Sequence, residues 1–231
     1  MQRYSLITEK RQREIVLLRG SGCKYARCSF CDYHFDKCED ENANFELNSR
    51  VLSRVTGLYG DLEVINSGSV WELDDRTLAL IKEICLSKNI STLHFEAHWL
   101  YRDKIPALRA YFAPIELKMK LGLETFDYDL RERVLNKGIS ERDPEKIARD
   151  FDEANLLFGI SGQDEESMRR DVTLGLKLFE RICINIFCRN STSVEPDEDV
   201  IGEFMEELYF ESQSDPRVDV LMENTDFGVG D

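Results

Sequence analysis

Long apolar runs are missing from this 231-residue chain. Its apolar stretches, such as Ile15-Val16-Leu17-Leu18, are of strand length and too short to cross a bilayer as a helix. Basic charge is in deficit as well. Against 45 Asp and Glu stand 30 Lys and Arg, a formal net charge of −15, which repels phosphate backbones and disfavours a nucleic-acid partner. The one basic concentration, Lys10 to Arg13, is too short for a duplex footprint. No Pro/Ser/Gly-rich linker, low-complexity tract or repeat interrupts the chain, so residues 1–231 read as a single domain. Met1 to Gln12 is mostly polar and charged, unlike a secretory signal peptide. The expectation is a cytoplasmic protein with no membrane partner, acting on a small molecule.

What is present is an alternation of short β-type runs with helical patterns. The strand candidates are Glu14–Arg19, Leu62–Ile65, Thr92–Ala97, Ile115–Leu121, Asn155–Phe158, Cys183–Cys188 and Val218–Leu221. Between them, Leu78, Ile81, Ile84 and Cys85 repeat at helical spacing within Asp74–Lys88, and further helices are predicted over Ile105–Phe112, Pro144–Phe151, Glu165–Leu178 and Asp199–Phe210. Such alternation implies crossovers and a mostly parallel sheet. A complete eightfold barrel takes ~250 residues. Six or seven units predict instead an α/β fold, a partial (open) β/α barrel with about six parallel strands.

Two strands show how their faces divide. Thr92, His94, Glu96 and His98 alternate against Leu93, Phe95, Ala97 and Trp99; Glu116, Lys118, Lys120 and Glu124 alternate against Ile115, Leu117, Met119, Leu121 and Leu123. Helices cover the apolar face, so the polar face is expected to line the lumen as a site for a polar ligand. A half-exposed antiparallel sheet is the alternative.

The strongest local signal follows the first strand candidate: Arg19-Gly20-Ser21-Gly22-Cys23-Lys24-Tyr25-Ala26-Arg27-Cys28-Ser29-Phe30-Cys31. Four of the 7 cysteines lie in the first forty residues, and in a reducing compartment such thiols are metal ligands or catalytic groups before they are disulfides. Cys23, Cys28 and Cys31 on a glycine-led loop can take three corners of a metal cluster. A zinc ribbon would need a second close pair, which the sequence lacks. Three protein thiolates on a cubane leave one iron open to another ligand. Cys38, Cys85, Cys183 and Cys188 read as inert or buried thiols.

With that loop the chain resembles the radical S-adenosylmethionine superfamily, whose members carry three cysteines after the first barrel strand and an aromatic residue before the third, here Phe30. The usual spacing there is three and two; this chain has four and two. Asn66-Ser67-Gly68-Ser69 takes the place of the turn that holds the methionine amino group, without its usual acidic residue. Leu121–Asp127 is similar to the segment reaching the ribose, through Glu124, and Phe158–Gln163, with Ser161, to the one beside the adenine. Lys137 stands where many members have an arginine, and Lys137 or Arg189 would hold the cofactor carboxylate. The resemblance implies a [4Fe–4S] cluster on Cys23, Cys28 and Cys31, S-adenosyl-L-methionine as second cofactor, a deoxyadenosyl radical that abstracts a hydrogen atom, and an electron donor such as flavodoxin or ferredoxin.

Within the superfamily, the overall length, the Arg19–Cys23 approach to the loop and Cys38 beyond it look like the small queuine lyases. That likeness implies a queuine-like free base as substrate and carbon–nitrogen bond cleavage. Glu96 or Glu223 would accept from the guanine-like edge, and His98, Asn185 or Lys118 would meet the diol. Two other readings stay open: a radical enzyme with a different substrate, such as an activase, and a non-enzymatic iron–sulfur or zinc module.

Overall fold

The computed structural model describes residues 1–230. Its elements are β1 (Tyr4–Ile7), β2 (Arg13–Leu18), α1 (Glu41–Leu52), β3 (Asp61–Asn66), α2 (Asp75–Ser87), β4 (Thr92–Ala97), α3 (Ile105–Phe112), β5 (Glu116–Glu124), α4 (Pro144–Ala148), β6 (Glu153–Phe158), α5 (Glu165–Leu178), β7 (Arg181–Ile186), α6 (Glu198–Glu207), α7 (Tyr209–Ser214) and β8 (Val218–Leu221). All seven expected strands are present. The eighth, β1, is a four-residue strand with no alternation to announce it. None of the described helices is long and apolar enough to cross a membrane.

The chain divides into two compact units. The first comprises Met1–Ala26, Tyr33–Met119 and the residues from Phe227 onward; the second comprises Arg27–Asp32 and Lys120–Asp226. In the first, β1 pairs antiparallel with β2, and β2, β3 and β4 run parallel, with Glu14 opposite Leu62 and Leu62 opposite Leu93. In the second, β5 to β8 are parallel, with Ala154 opposite Ile182 and Ile182 opposite Val218. The parallel strands bury apolar runs on the side their crossover helices cover: Val16, Val64, Phe95 and Ile81 in the first unit, Leu156, Ile184, Met168 and Phe204 in the second.

The polar strand faces are also buried, but near the strand starts they serve the fold. Arg13 is paired with Glu63, Asp61 with both His94 (2.9 Å) and Arg11 (2.9 Å), and Lys118 with Glu116 (2.8 Å). Burial alone would raise the Asp61 carboxyl, yet His94 and Arg11 hold it below its usual range. In the second unit Arg181 bridges Glu153 and Asp219, at 2.9 Å each. The expectation that the whole polar face awaits a ligand is thus corrected. Its lower part is an ion-pair layer, and Lys118 belongs there.

Helix α1 has a weak apolar stripe because two of its buried residues are asparagines. Asn48 accepts from the Arg19 N–H (2.9 Å) and donates to the Arg19 carbonyl (2.9 Å), while Asn44 accepts from Arg19 Nε (2.8 Å) and donates to the Cys38 carbonyl (2.7 Å). The helix therefore fixes the chain where β2 hands over to the cysteine loop.

In α5, Asp171 is buried and accepts from the Phe126 N–H at 3.0 Å. Burial outweighs that bond and pushes its carboxyl up to about 6. A raised folded-state value means that the group's contribution is fully present below its ordinary 3.8 and is lost as pH rises through about 6. Asp171→Asn keeps the acceptor and removes the charge. Urea denaturation should show the variant more stable than wild type by about 3 kcal/mol at pH 8, with the difference vanishing below pH 4.

Candidate active site

In the first unit the loop after β2 packs against the turn after β3. A Cβ on Gly20 would lie 2.5 Å from the Glu72 carbonyl oxygen, so that approach requires glycine; one on Gly68 would lie 3.2 Å from Cys23 Cα and 3.0 Å from Glu72 Oε2, a tight fit that its absence relieves. Asn66 closes the turn, accepting at its carbonyl from the Gly68 N–H (2.7 Å) and donating from Nδ2 to the Ser69 carbonyl (3.1 Å); Ser67 stands half-buried between them.

Glu72 is the residue that sequence reasoning missed. The turn lacks an acid at the usual place, but the short helical turn Val70–Glu72 brings this buried carboxylate back to it. Glu72 accepts from the Ser69 N–H, the Lys24 N–H (3.2 Å) and the Tyr101 hydroxyl (2.7 Å), and its carbonyl accepts from the Ser21 N–H (2.9 Å). Burial, then the Glu72 carboxylate and the Cys23 sulfur, push the Tyr101 phenol well above its usual value, so it remains a donor.

His98 donates its backbone N–H to Ser69 Oγ (2.9 Å), accepts at Nδ1 from the Leu100 N–H (3.1 Å) and stacks on Tyr25 with ring centroids 4.4 Å apart. Acceptance at Nδ1 places the proton of a neutral ring on Nε2. Glu96 lies two residues earlier on the same face of β4, half-buried. Beside Cys23 opens a cavity of ≈ 490 Å³, with Lys24, Lys37, Trp71, Glu72, Tyr101 and Lys104 in its wall.

The second unit holds the rest of the loop. Ser29 donates its N–H to the Leu135 carbonyl (3.0 Å), Asn136 donates to the Arg27 carbonyl (2.7 Å) and Asn190 to the Phe30 carbonyl (2.7 Å). The Phe30 ring packs on an apolar cluster of Leu130, Leu135, Leu157, Ile160 and Phe187. Lys137 Nζ lies 5.6 Å from that ring's centroid and 2.7 Å from Glu124 Oε1, both charged residues being buried. Burial opposes the Lys137 ammonium, but the charges of Glu124, Cys28 and Cys31 prevail and hold it above its usual value.

Glu124 follows a bulge in β5 and has φ +72°, a left-handed conformation that turns it out of the strand's alternation. It does not cap the next helical turn; Asp127 does, accepting from the Leu130 N–H at 2.9 Å. Buried Arg131, also unforeseen, donates to the carbonyls of Thr125 (3.0 Å), Ile139 (3.2 Å) and Glu141 (2.6 Å), fixing the loop that carries Lys137.

The remaining candidates are placed more openly. Ser161 is exposed beside Gly162, whose φ is +96°. Asn185 donates to the Leu156 carbonyl (3.3 Å) within the sheet. Glu223 is exposed and accepts from the Cys188 thiol at 3.6 Å. Arg189 is exposed and ion-paired with Glu195, so in this structure it is held at the surface.

Cys23, Cys28 and Cys31 are partly exposed and take part in no disulfide. Among the described residues no three His, Cys, Asp or Glu side chains converge as a single metal ion requires. Three soft donors on one loop suit a cluster with separate metal corners. Cys23 Sγ already accepts the Ala26 N–H at 3.3 Å, and a buried ammonium stands where Cys28 and Cys31 bring negative charge. Such bonds and charges stabilise thiolate-held iron. The donor set fits.

No protein-family profile matches the chain. Among solved structures, a queuine lyase from Clostridium spiroforme bound to S-adenosylmethionine and queuine is similar with a TM-score of 0.96 and 46% identity, covering 100% of both chains. Two crystal structures of SuiB from Streptococcus suis, one bound to S-adenosylmethionine, share the fold at a TM-score of 0.55 and 12% and 13% identity, over 91% and 92% of this chain and 50% and 48% of theirs. An uncharacterised protein of Methanocaldococcus jannaschii is 26% identical over 203 residues, 75% of this chain. The chain spans about half the length of that curated relative, 54%.

Proposed function

The chain belongs to the queuine lyase family of radical S-adenosylmethionine enzymes, with their partial (open) β/α barrel fold, and from this premise we propose that it cleaves the carbon–nitrogen bond of the free base queuine and releases its aminomethyl-deazaguanine precursor. The observation that carries the proposal is the full-length likeness, at 46% identity, to a queuine lyase holding both S-adenosylmethionine and queuine. A [4Fe–4S] cluster on Cys23, Cys28 and Cys31, together with S-adenosylmethionine, would supply one-electron cleavage of the sulfonium and hence hydrogen-atom abstraction from the substrate.

The chain's own residues bind and orient. Asn66, Ser67 and Gly68, clamped by Glu72, present the turn that receives the methionine ammonium. Lys137 is a point charge for the carboxylate, and its ion pair holds Glu124 for the ribose hydroxyls. Phe30, on its apolar cluster, and Ser161 flank the adenine and keep water away. Arg189 joins the cofactor only if its pairing with Glu195 opens. For the substrate, Glu96 or Glu223 accepts from the adjacent N–H donors of a guanine-like edge, and His98, through Nε2–H, or Asn185, through its amide, meets a diol oxygen. The whole chain acts as one domain in the cytoplasm, with the electron supplied by a carrier such as flavodoxin or ferredoxin.

The test is direct. Anaerobically reconstituted protein with dithionite, S-adenosylmethionine and queuine should yield deoxyadenosine and the precursor base together. Deoxyadenosine that never rises above the substrate-free background, with no precursor base, overturns the proposal.

Glu72→Gln gives a second expectation. The amide matches the carboxylate in size but cannot accept from all three donors, so the turn after β3 loosens. Supporting residues of this kind are worth about 10–100-fold. Calorimetry on the reconstituted variant should show S-adenosylmethionine affinity down by about 10-fold or more.

A further inference from the structure

The reaction proposed above consumes an electron that the chain does not store, and this inference rests on that reading. With a net charge of −15 the protein as a whole repels an acidic partner, so association with one requires a local cationic face. The basic run seen in the sequence does not supply it: Arg11 is paired with Asp61 and Arg13 is buried against Glu63. The cavity beside Cys23 does.

Lys24, Lys37 and Lys104, all exposed, stand in its wall. Among the described residues none of these three ammonium groups has a carboxylate partner. Lys24 and Lys37 are engaged only through backbone N–H groups, to Glu72 Oε1 and the Phe35 carbonyl, and Lys104 lies 5.3 Å from the Tyr101 ring centroid. The one acid in the wall, Glu72, is already spent on three donors. In the same wall Trp71 stacks on the buried Tyr101, centroids 4.8 Å apart and 21° between planes, so the lysines share it with an aromatic surface. Cys23 opens onto the same cavity, which provides a covalent path from the wall to whatever metal that thiol holds.

We propose that this cavity and its three lysines form the docking surface for a small acidic one-electron carrier protein, which delivers its electron at Cys23. One electron leaves the carrier, which is oxidised by one unit, and the cluster is reduced from 2+ to 1+; no atom or proton is transferred. Unpaired rim charges act mainly through the association rate and its salt dependence, and electrostatic steering is worth about 10- to 10³-fold in rate.

The test uses the cluster-loaded full chain and purified flavodoxin as the probe. Binding of oxidised flavodoxin and the stopped-flow rate of cluster bleaching by reduced flavodoxin are measured for wild type, for Lys24→Glu/Lys37→Glu/Lys104→Glu, and for Lys88→Glu/Lys146→Glu/Lys177→Glu, which makes the same charge change elsewhere. The cavity variant should bind at least about 10-fold more weakly and be reduced at least about 10-fold more slowly at low salt, converging on wild type at high salt. The control variant should stay within about 2-fold. If charge reversal lowers iron content, Lys24→Gln/Lys37→Gln/Lys104→Gln should show the same trend at about 3-fold. Equal rates for wild type and cavity variant, or equal losses in both reversal variants, overturn the docking surface. Dithionite-driven cleavage keeps the two readings apart: a wild type that flavodoxin reduces but that never cleaves queuine refutes the lyase assignment, not the docking surface.

Discussion

Replacing Cys23, Cys28 and Cys31 together by alanine is expected to leave a folded protein without iron, without thiolate-to-iron charge-transfer absorption and without lyase activity. The fall in turnover should be at least ~10³-fold, about 4 kcal/mol of transition-state free energy. Alanine is the informative choice because serine leaves an oxygen able to coordinate. Folding should survive, since apart from the Ala26 N–H on Cys23 Sγ the bonds that hold the loop do not involve sulfur. Asn136, Asn190 and Ser29 pin its second half by hydrogen bonds involving backbone, and Glu72 gathers its first. The urea midpoint should therefore move little, within about 1 kcal/mol of stability. Cys38→Ala is the contrasting variant. Cys38 takes part through its backbone, N–H to the Gly20 carbonyl (3.1 Å) and carbonyl to Asn44, so iron content and absorption should be unchanged. Triple-variant protein that retains the cluster spectrum, or Cys38→Ala protein that loses it, defeats the assignment of ligands.

The contrast between those cysteines shows what a linear reading can reach. The three loop thiols are close in sequence, and the glycines before them have steric reasons that local chemistry suggests. Parallel strands announce themselves as apolar runs, and α2, α3 and α5 as helical repeats, because burial imposes a period on the sequence itself. Where the determinant acts through space, the period says nothing. Glu72 lies 49 residues from Cys23 and reaches it only because a short helical turn folds it back. Alternation in β4 separates His94 and Glu96 from their apolar neighbours, yet it cannot tell a side chain awaiting a ligand from one consumed by Asp61. Helix α1 was invisible because Asn44 and Asn48 do the work that leucines do elsewhere. Arg189 looks available from its position after β7, but its pairing with Glu195 depends on how the following loop folds.

Lys137→Met is expected to destabilise the second unit strongly. It leaves Glu124 buried, charged and fixed at φ +72° with its ammonium partner gone. Breaking a buried pair from one side costs about 3–5 kcal/mol, chiefly as the penalty for the charge left behind, whereas replacing both members by neutral groups of similar size is often near neutral. Glu124→Gln should likewise destabilise, stranding the Lys137 ammonium near the Phe30 ring. The double variant Lys137→Met/Glu124→Gln should then recover most of the loss, a coupling of about 2–3 kcal/mol in a double-mutant cycle read by urea denaturation. Binding should not recover with it. S-adenosylmethionine affinity in the double variant should remain at least about 10-fold below wild type, because the restored fold lacks both the cation proposed for the carboxylate and the anion proposed for the ribose. Additive destabilisation in the cycle would mean that the two groups are not a pair. A double variant that regained stability and bound the cofactor normally would remove Lys137 and Glu124 from the binding site while leaving their structural pairing intact.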